Sequence, residues 1–391
     1  MFRKLSASSS VLLAFIFLLS LSLRGPVVGI APILDLLQTD LDLPNSALGL
    51  LTSLPLLCFA IFAPVASWLG HRQGIEKTLL LSALLILCGI LLRSIGALSG
   101  LYSGVIFIGA GIAISNVLLP ILLKRDFQNH IFILTAIYVL MMNLGGALMA
   151  GSVIPISLLS EHWFGDQWPS WSTALASQAL FVLLPIFLWF KLPNQQTDVP
   201  PPRASRPVWR SPIAWLLAMF LALNSVINYT VNTWIPTILI AKNFSPVTAG
   251  LYQGYIQIAG VIPALILPLL QRFFTSKRQL SILSVLTTLL ALFGFTVYPA
   301  GSLLWSICFG FGTTLGFIVG LSFISLRTGS LHEASALSGM AQLTGYLLAA
   351  AGPVLIGSLF DAIGDWQIPL YFLIGLCLIW TILGWYASPE D

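Results

Sequence analysis

Long apolar stretches dominate the chain, and short polar or proline-rich breaks separate them. Each stretch is close to the roughly 20 residues that an α-helix needs to cross the hydrocarbon core of a bilayer. The stretches are continuous rather than alternating, which argues against the short amphipathic strands of a membrane β-barrel. Read together with the glycine and proline breaks, the pattern predicts twelve membrane-spanning helices. Their predicted bounds are 11–35, 46–70, 76–96, 99–123, 131–159, 171–191, 212–240, 246–271, 279–298, 301–326, 333–360 and 367–387.

A basic, proline-rich segment at residues 192–211 lies between the sixth and seventh predicted spans. This composition is typical of an extended linker. It predicts an N-terminal six-helix bundle at 1–191 and a C-terminal one at 212–391. Short motifs also repeat between the halves, since "IAPIL" at 30–34 precedes "WIPTIL" at 234–239 by 204 residues. We therefore expect an all-α membrane protein of two pseudo-symmetric bundles, with a cavity between them near mid-membrane.

The composition agrees with a membrane protein. Of 391 residues, 58% are hydrophobic and 8% are charged, whereas a soluble domain carries about 25% charged residues. Lysine and arginine concentrate in the segments that are cytoplasmic if the N-terminus is inside, which predicts a multi-pass protein of the bacterial inner membrane with both termini cytoplasmic. Only Arg93 and Lys242 are assigned to outer loops. The net charge of +4 then reflects topology, and no nucleic-acid partner is expected.

One arginine interrupts the first apolar stretch. Arg24 lies about thirteen residues from either end of its span, too far for easy snorkelling at about 1.5 Å per residue. The stretch continues to Leu34, which favours a span over a cleaved signal peptide. A central charge is costly in a membrane and usually faces a wet cavity. Because a guanidinium stays protonated and offers five donors, Arg24 is predicted to bind an anionic or planar polar solute. The alternative is an internal clamp on backbone carbonyls.

Neutral polar side chains accompany this arginine. Asn228, the counterpart of Arg24 at the same offset of 204, belongs to a stripe at i, i+4 and i+8 along span seven, which places its members on one helix face. Helix–helix packing is the alternative explanation for such residues. The predicted substrate-binding set is Arg24, Asn116, Tyr138, Asn143, Asn224, Asn228, Tyr229, Asn232, Gln253, Gln257, Gln342 and Tyr346.

Acidic residues and histidines are missing from the middle of every predicted span. A membrane proton relay normally uses such a buried titratable group, so carboxylate-based proton coupling in the cavity is not expected. Cys58, Cys88, Cys308 and Cys377 lie in apolar runs without metal-ligand spacing and are interpreted as small buried hydrophobic residues. No cofactor, metal site or catalytic residue is predicted, and the chain is expected to be a monomer in the lipid bilayer.

The loop "SWLGHRQGIEK" at 67–77, together with the six-plus-six arrangement, resembles the major facilitator superfamily, whose loop pattern is G-x-L-A-D-R-x-G-R-K. The agreeing positions are Leu69, Arg72, Gly74 and Lys77, and the resemblance implies a gating role for Arg72, Gly74 and Lys77. Ser67 and His71 depart from the pattern, and Val105 stands where that superfamily often has a proton-linked arginine in span four.

Within that superfamily the chain is similar to the bacterial cyanate / 2-nitroimidazole transporter family. The stretches that carry the resemblance are "LRGPVVGIAPILD", "GLLTSLPLLCFAIFAPVA", "GAGIAISNVLLPILLKRDF", "VNTWIPTIL" and "ALSGMAQLTGYLLAAAGP". The resemblance implies alternating-access transport of a small polar or anionic solute across the inner membrane, with Arg24 serving the substrate. The family includes uptake and export systems.

We therefore predict a secondary transporter of a cyanate-like or nitroimidazole-like solute. The main alternative is a broader drug efflux pump of the same superfamily, because tyrosines 138, 229, 252, 255 and 346 could accept planar aromatic compounds. A membrane-embedded enzyme is the remote alternative, and it would need a nucleophile or an acid–base pair near one membrane face. No carboxylate–histidine pair is evident in the sequence.

Overall fold

A computed structural model describes residues 7–165, 168–190, 208–274, 276–328 and 331–388, and within them all regular structure is helical. The α-helices of the described residues are α1 (Ala7–Val28), α2 (Leu34–Leu41), α3 (Asn45–Gln73), α4 (Ile75–Arg93), α5 (Leu98–Asp126), α6 (Ile131–Phe164), α7 (Ser170–Ala176), α8 (Ala179–Trp189), α9 (Pro212–Ala241), α10 (Pro246–Ala259), α11 (Ile262–Phe273), α12 (Lys277–Val297), α13 (Ser302–Arg327), α14 (Leu331–Ile363) and α15 (Gln367–Ala387). Short 3₁₀ helices lie at Ala31–Ile33, Gln128–His130, Val208–Arg210 and Pro299–Gly301.

Within the described residues, eleven helical segments are long and apolar enough to cross a membrane. The pair α10 and α11 is bent by 46° at a short break and supplies a twelfth. The twelve-span prediction is therefore confirmed. Long helices are expected here because lipid offers no hydrogen-bond partner to the backbone.

The chain forms two compact units. Unit 1 comprises Met1–Leu41 and Leu57–Pro202, and unit 2 comprises Asp42–Leu56 and Arg203–Asp391. The bundle bounds read from the sequence stay a prediction. Most of the proposed linker at 192–211 lies outside the described residues, except for its last four positions.

Small residues let the helices of unit 1 approach closely, as is common in membrane bundles. The best example is the crossing of α4 and α5. A Cβ atom on Gly89 would lie 2.5 Å from the carbonyl oxygen of Gly104, so only glycine fits there. Ser82 and Ser115 share a buried hydrogen bond of 2.7 Å across the same pair.

In unit 2, α9 packs along α14, and the first turns of α3 belong to the same unit. Asp361 near the end of α14 accepts hydrogen bonds from the backbone N–H of Asn45 (3.0 Å) and of Ser46 (2.8 Å). These N–H groups open helix α3 and have no partner within their own helix. The carboxylate therefore caps α3 and ties it to α14.

Two sequence interpretations need correction. Cys58 and Cys377 are buried and all four thiols are free, but Cys88 is exposed and Cys308 is partly exposed, so burial of every cysteine was wrong. Arg93 was assigned to an outer loop, yet it is the last residue of α4 and only 1% exposed. Its position at the end of a predicted span indicated that Arg93 is exposed to solvent, whereas the packing of neighbouring helices encloses its side chain.

Candidate functional site

The first span is broken just after Arg24. Helix α1 contains Pro26 in its last turn and ends at Val28, and a 3₁₀ turn at Ala31–Ile33 leads into α2. Proline has no N–H and its ring crowds the preceding turn, so it weakens a helix at this point. Gly29, between the two helical pieces, is buried. The sequence "RGPVVG" thus places Arg24 about one turn before the interruption of the helix.

Helices α1 and α6 cross closely beside this arginine. A Cβ on Gly25 would lie 2.5 Å from Cγ of Met149 and 3.3 Å from the carbonyl oxygen of Gly145. A Cβ on Gly145 would overlap the carbonyl oxygen of Leu21. Glycine at both positions therefore brings the two backbones together, and residues flanking the crossing on each helix can reach one another.

Arg24 uses this proximity to contact Asn143 on α6. Its Nη1 donates to Oδ1 of Asn143 at 3.0 Å, and Nδ2 of Asn143 donates to the carbonyl oxygen of Val139 at 2.9 Å. The second bond fixes which way the amide faces, so its oxygen is held toward the guanidinium. Asn143 is 4% exposed, whereas Arg24 is partly exposed. The arrangement is a cation oriented by a neutral acceptor.

A second polar pair in unit 1 joins α5 and α6. The hydroxyl of Tyr138, a residue 7% exposed, donates to Oδ1 of Asn116 at 3.3 Å. Tyr138 precedes Asn143 by five residues along α6, about 7.5 Å of helix rise. The structure thus groups the four predicted site residues of unit 1 into two hydrogen-bonded pairs.

Unit 2 contains a buried amide network centred on Asn232 of α9. Four residues after Asn232, Pro236 lacks the N–H that would bond the Asn232 carbonyl. Nε2 of Gln253 on α10 donates to that carbonyl at 2.6 Å and replaces the missing helical bond. Nε2 of Gln257, one turn further on, donates to Oδ1 of Asn232 at 2.5 Å.

The network has a defined direction. Nδ2 of Asn232 donates to the carbonyl oxygen and to Oδ1 of Asn228 (2.8 and 3.0 Å), so its own Oδ1 must face Gln257. The NH₂ group of Gln257 is then committed to Asn232, and its Oε1 is left as an acceptor. Within the described residues, Oε1 of Gln257 and Oδ1 of Asn224 are buried and have no hydrogen-bond partner.

The remaining predicted residues of unit 2 are less enclosed. Tyr229 on α9 and Tyr346 on α14 are partly buried, and Gln342 is exposed, with Nε2 3.2 Å from Oγ of Ser338. Next to Tyr346, a Cβ on Gly345 would lie 3.7 Å from Oγ of Ser225 on α9. This part of α14 therefore runs alongside the asparagine-bearing helix.

The loop motif forms the turn between α3 and α4. Gly74 precedes α4 with a φ of 90°, a conformation that favours glycine. The guanidinium of Arg72 lies 5.3 Å from the ring centroid of Trp68, and Lys77 is exposed. The resemblance implies a gating role for these residues, which stays a prediction.

Sequence reasoning missed an ion-pair cluster beside this turn. Glu76 in the first turn of α4 accepts from Arg125 at 2.6 Å, and Arg125 also pairs with Asp126 at 2.7 Å. Nε1 of Trp189 donates to the Glu76 backbone carbonyl at 2.9 Å. These contacts join the ends of α4, α5 and α8. They do so although His71 stands where the superfamily loop pattern has an aspartate. The charges were visible in the sequence, but their pairing depends on helix packing.

Comparisons with known proteins agree with this architecture. A family model described as Major Facilitator Superfamily matches residues 11–353. The chain is 40% identical over 386 residues to the 2-nitroimidazole transporter of Escherichia coli (strain K12), covering 97% of this chain and 96% of that protein. It is 25% identical over 378 residues to the cyanate transport protein CynX of the same strain, covering 94% and 96%. A mutant of the nucleoside transporter NupG has a similar fold, with a TM-score of 0.79 at 13% identity and coverage of 96% and 99%.

The family model and the 2-nitroimidazole relative indicate a multi-pass membrane transporter, and the apolar helical spans of the described residues agree with this class. Its substrates are small solutes. The chain belongs to the major facilitator superfamily, within the cyanate / 2-nitroimidazole transporter family. The family resemblance read from the sequence is thereby confirmed.

Proposed function

We propose that this protein moves a small, planar, polar solute of the nitroimidazole type across the bacterial inner membrane by alternating access. Arg24 binds the electron-rich end of the solute, and Asn143 orients Arg24. We propose separately that the amide set of unit 2 makes solute hydrogen bonds of its own. The observation that carries the proposal is the partly exposed guanidinium held by a buried neutral acceptor in a membrane-spanning helix.

The Arg24 guanidinium determines which chemical groups the solute can present to it. Its planar fork of N–H donors matches two coplanar oxygens, as in a nitro or carboxylate group. Asn143 leaves the positive charge of Arg24 intact because an amide carries no charge. Such a site attracts anions and the negative end of polar neutral molecules alike.

Taken by themselves, the acceptors of unit 2 favour a solute that carries a hydrogen-bond donor. Oδ1 of Asn224 and Oε1 of Gln257 are buried acceptors without a partner in the described residues, and an unsatisfied buried acceptor costs about 1–3 kcal/mol. The ring N–H of a 2-nitroimidazole could donate to such an atom, whereas cyanate has no N–H or O–H. This supports a nitroimidazole-like solute over a cyanate-like one, and agrees with the greater identity to the 2-nitroimidazole transporter.

We also propose that both termini are cytoplasmic. The positive-inside rule counts cations in loops, and burial of Arg93 removes one of the two outer charges assigned from the sequence. The asymmetry between the two sides is thereby larger than the sequence count suggested. Reporter fusions to each terminus test this orientation directly.

Transport by purified protein in liposomes tests the function. We would measure initial rates and affinities for radiolabelled 2-nitroimidazole and cyanate with the wild type, Arg24→Ala, Arg24→Lys and Arg272→Ala, an exposed arginine at the end of α11 as control. Loss of charge-assisted hydrogen bonds of about 1.5–3 kcal/mol predicts a decrease in affinity of roughly 10- to 150-fold for Arg24→Ala. Lysine should recover part of it, since charge remains without the planar fork.

Equal transport by the wild type and Arg24→Ala would refute the role of Arg24. Transport of large aromatic drugs in preference to both test solutes would instead favour the broader efflux pump. Unchanged behaviour of Arg272→Ala is required for either conclusion, because it excludes a general effect of removing one arginine.

A further inference from the structure

Arg93 is a fully enclosed guanidinium that the transport mechanism above does not use. It is 1% exposed at the end of α4, and among the described residues its side chain makes no ion pair. Enclosing a charge without a counter-ion is expensive in a membrane protein, and such residues usually serve function. The position therefore needs an explanation beyond the packing of α4.

Both terminal nitrogens of Arg93 have defined partners. Nη1 donates to the carbonyl oxygen of Pro26 at 2.7 Å, and Nη2 donates to Oε1 of Gln178 at 2.5 Å. The Pro26 carbonyl lies in the last turn of α1, where carbonyls lack a partner within the helix and carry the negative end of the helix dipole. Arg93 thus caps the C-terminal end of α1 with a positive charge.

Gln178 brings a third element to the same point. It is 2% exposed and lies between α7 and α8, and its Nε2 is 2.9 Å from where a Cβ on Gly29 would be. It therefore lies directly against the break in the first span. Ser172 on α7 also donates a hydrogen bond to the carbonyl oxygen of Ser94, the residue after Arg93, and so fixes the end of α4.

Arg24 is two residues before the carbonyl that Arg93 holds. The direction of its side chain depends on the backbone of this last turn, and the turn is fixed on one side by the α6 crossing and on the other by Arg93 and Gln178. We propose that Arg93 and Gln178 are positioning residues that hold the interrupted segment of the first span and thereby aim Arg24 at the solute. This inference rests on the proposed function.

The test measures solute binding in two backgrounds. Arg93→Met and Gln178→Ala are each made in the wild type and in Arg24→Ala, and the affinity for 2-nitroimidazole is measured on purified protein. We expect each to weaken binding by about tenfold or more in the wild-type background, because a displaced guanidinium loses charge-assisted hydrogen bonds to the solute, which are strong and depend on geometry. In the Arg24→Ala background they should have no further effect, since nothing remains to be aimed.

Two further variants separate positioning from general stability. Gln178→Glu keeps an oxygen acceptor for Arg93 and should restore affinity to near the wild-type value. Arg327→Met is the matched control, since Nη2 of Arg327 also bonds a backbone carbonyl at the C-terminal end of a helix, that of Ser388 after α15, at 2.6 Å in unit 2. It should lower thermal stability without changing solute affinity.

The outcomes are distinguishable. If Arg24→Ala binds like the wild type, the proposed function fails. If Arg24→Ala loses affinity but Arg93→Met and Gln178→Ala do not, or if they weaken both backgrounds equally, the positioning role is refuted and the function stands. Should Arg93→Met not fold, the Gln178 variants decide the question, because they leave Arg93 and its bond to Pro26 in place.

Discussion

Replacing Asn143 with aspartate offers a sharp test of the proposed site. The substitution exchanges one NH₂ for an oxygen at nearly constant shape and places a carboxylate where an amide oxygen now lies 3.0 Å from Nη1 of Arg24. Two unit charges about 4 Å apart interact by roughly 4 kcal/mol at an effective dielectric constant of 20. The new carboxylate would therefore neutralise Arg24 and form an internal ion pair.

The effect should depend on the charge of the solute. A bound anion about 5 Å from the new carboxylate would be repelled by roughly 3 kcal/mol at the same dielectric constant, which corresponds to a loss of affinity of about 150-fold or more. A neutral 2-nitroimidazole should lose little beyond one hydrogen bond of about 0.5–1.5 kcal/mol, or roughly 2- to 13-fold. The ratio of the two affinities is thus the quantity to measure.

Equilibrium binding of radiolabelled cyanate and 2-nitroimidazole gives this ratio, with the nitroimidazole kept in its N–H form by the choice of pH. Asn243→Asp is the matched control, because it adds the same charge at an exposed position after α9 in unit 2. If Asn143→Asp weakens both solutes equally, or neither, the guanidinium does not contact the solute and the electrostatic reasoning is wrong.

Two further predictions concern unit 2. Methylating the ring nitrogen of 2-nitroimidazole removes its N–H donor, so the methylated compound should bind the wild type about 2- to 13-fold more weakly. The Gln257→Leu variant should bind both compounds with equal affinity. If this variant still distinguishes the two compounds, Oε1 of Gln257 is not the acceptor. Asp361→Ala removes the cap that joins α14 to the backbone of Asn45 and Ser46. It should lower the free energy of unfolding by about 1 kcal/mol and the thermal unfolding midpoint by about 2–4 °C, and Asp361→Asn should have an intermediate effect. An unchanged midpoint would show that the cap does not stabilise the protein.

The spans could be predicted from sequence because the membrane permits few alternatives. A backbone in lipid must satisfy its own hydrogen bonds, so length and apolar composition were sufficient to count twelve helices. The interruption of the helix after Arg24 was harder to predict. Glycine and proline in "RGPVVG" indicated a weak point, but the predicted span ended at residue 35, whereas helical structure continues to Leu41. The hydropathy of this stretch does not record where its helix is interrupted or where it ends.

Contacts within one helix followed from spacing, and contacts between helices did not. The i, i+4 relation of Asn228 and Asn232 predicted a shared face, and these two residues are indeed hydrogen-bonded. The bond between Arg24 and Asn143 joins residues 119 positions apart and depends on the rotation of α1 and α6 about their axes. Arg93 shows the same difficulty, because only packing reveals that a charge at a span end is enclosed.

The two units stabilise a proline-containing span in chemically different ways, and the difference bears on function. In unit 1 the Pro26 carbonyl accepts from the charged Arg93, whereas in unit 2 the carbonyl freed by Pro236 accepts from the neutral Gln253. Charge-assisted hydrogen bonds are roughly twice as strong as neutral ones. The backbone beside Arg24 is therefore held firmly, which agrees with the positioning role that we propose for Arg93. The hydrogen bonds that the side-chain amides around Asn232 make are weaker individually and can be exchanged at smaller cost, so this network within unit 2 is suited to the adaptable hydrogen bonding that we propose for it.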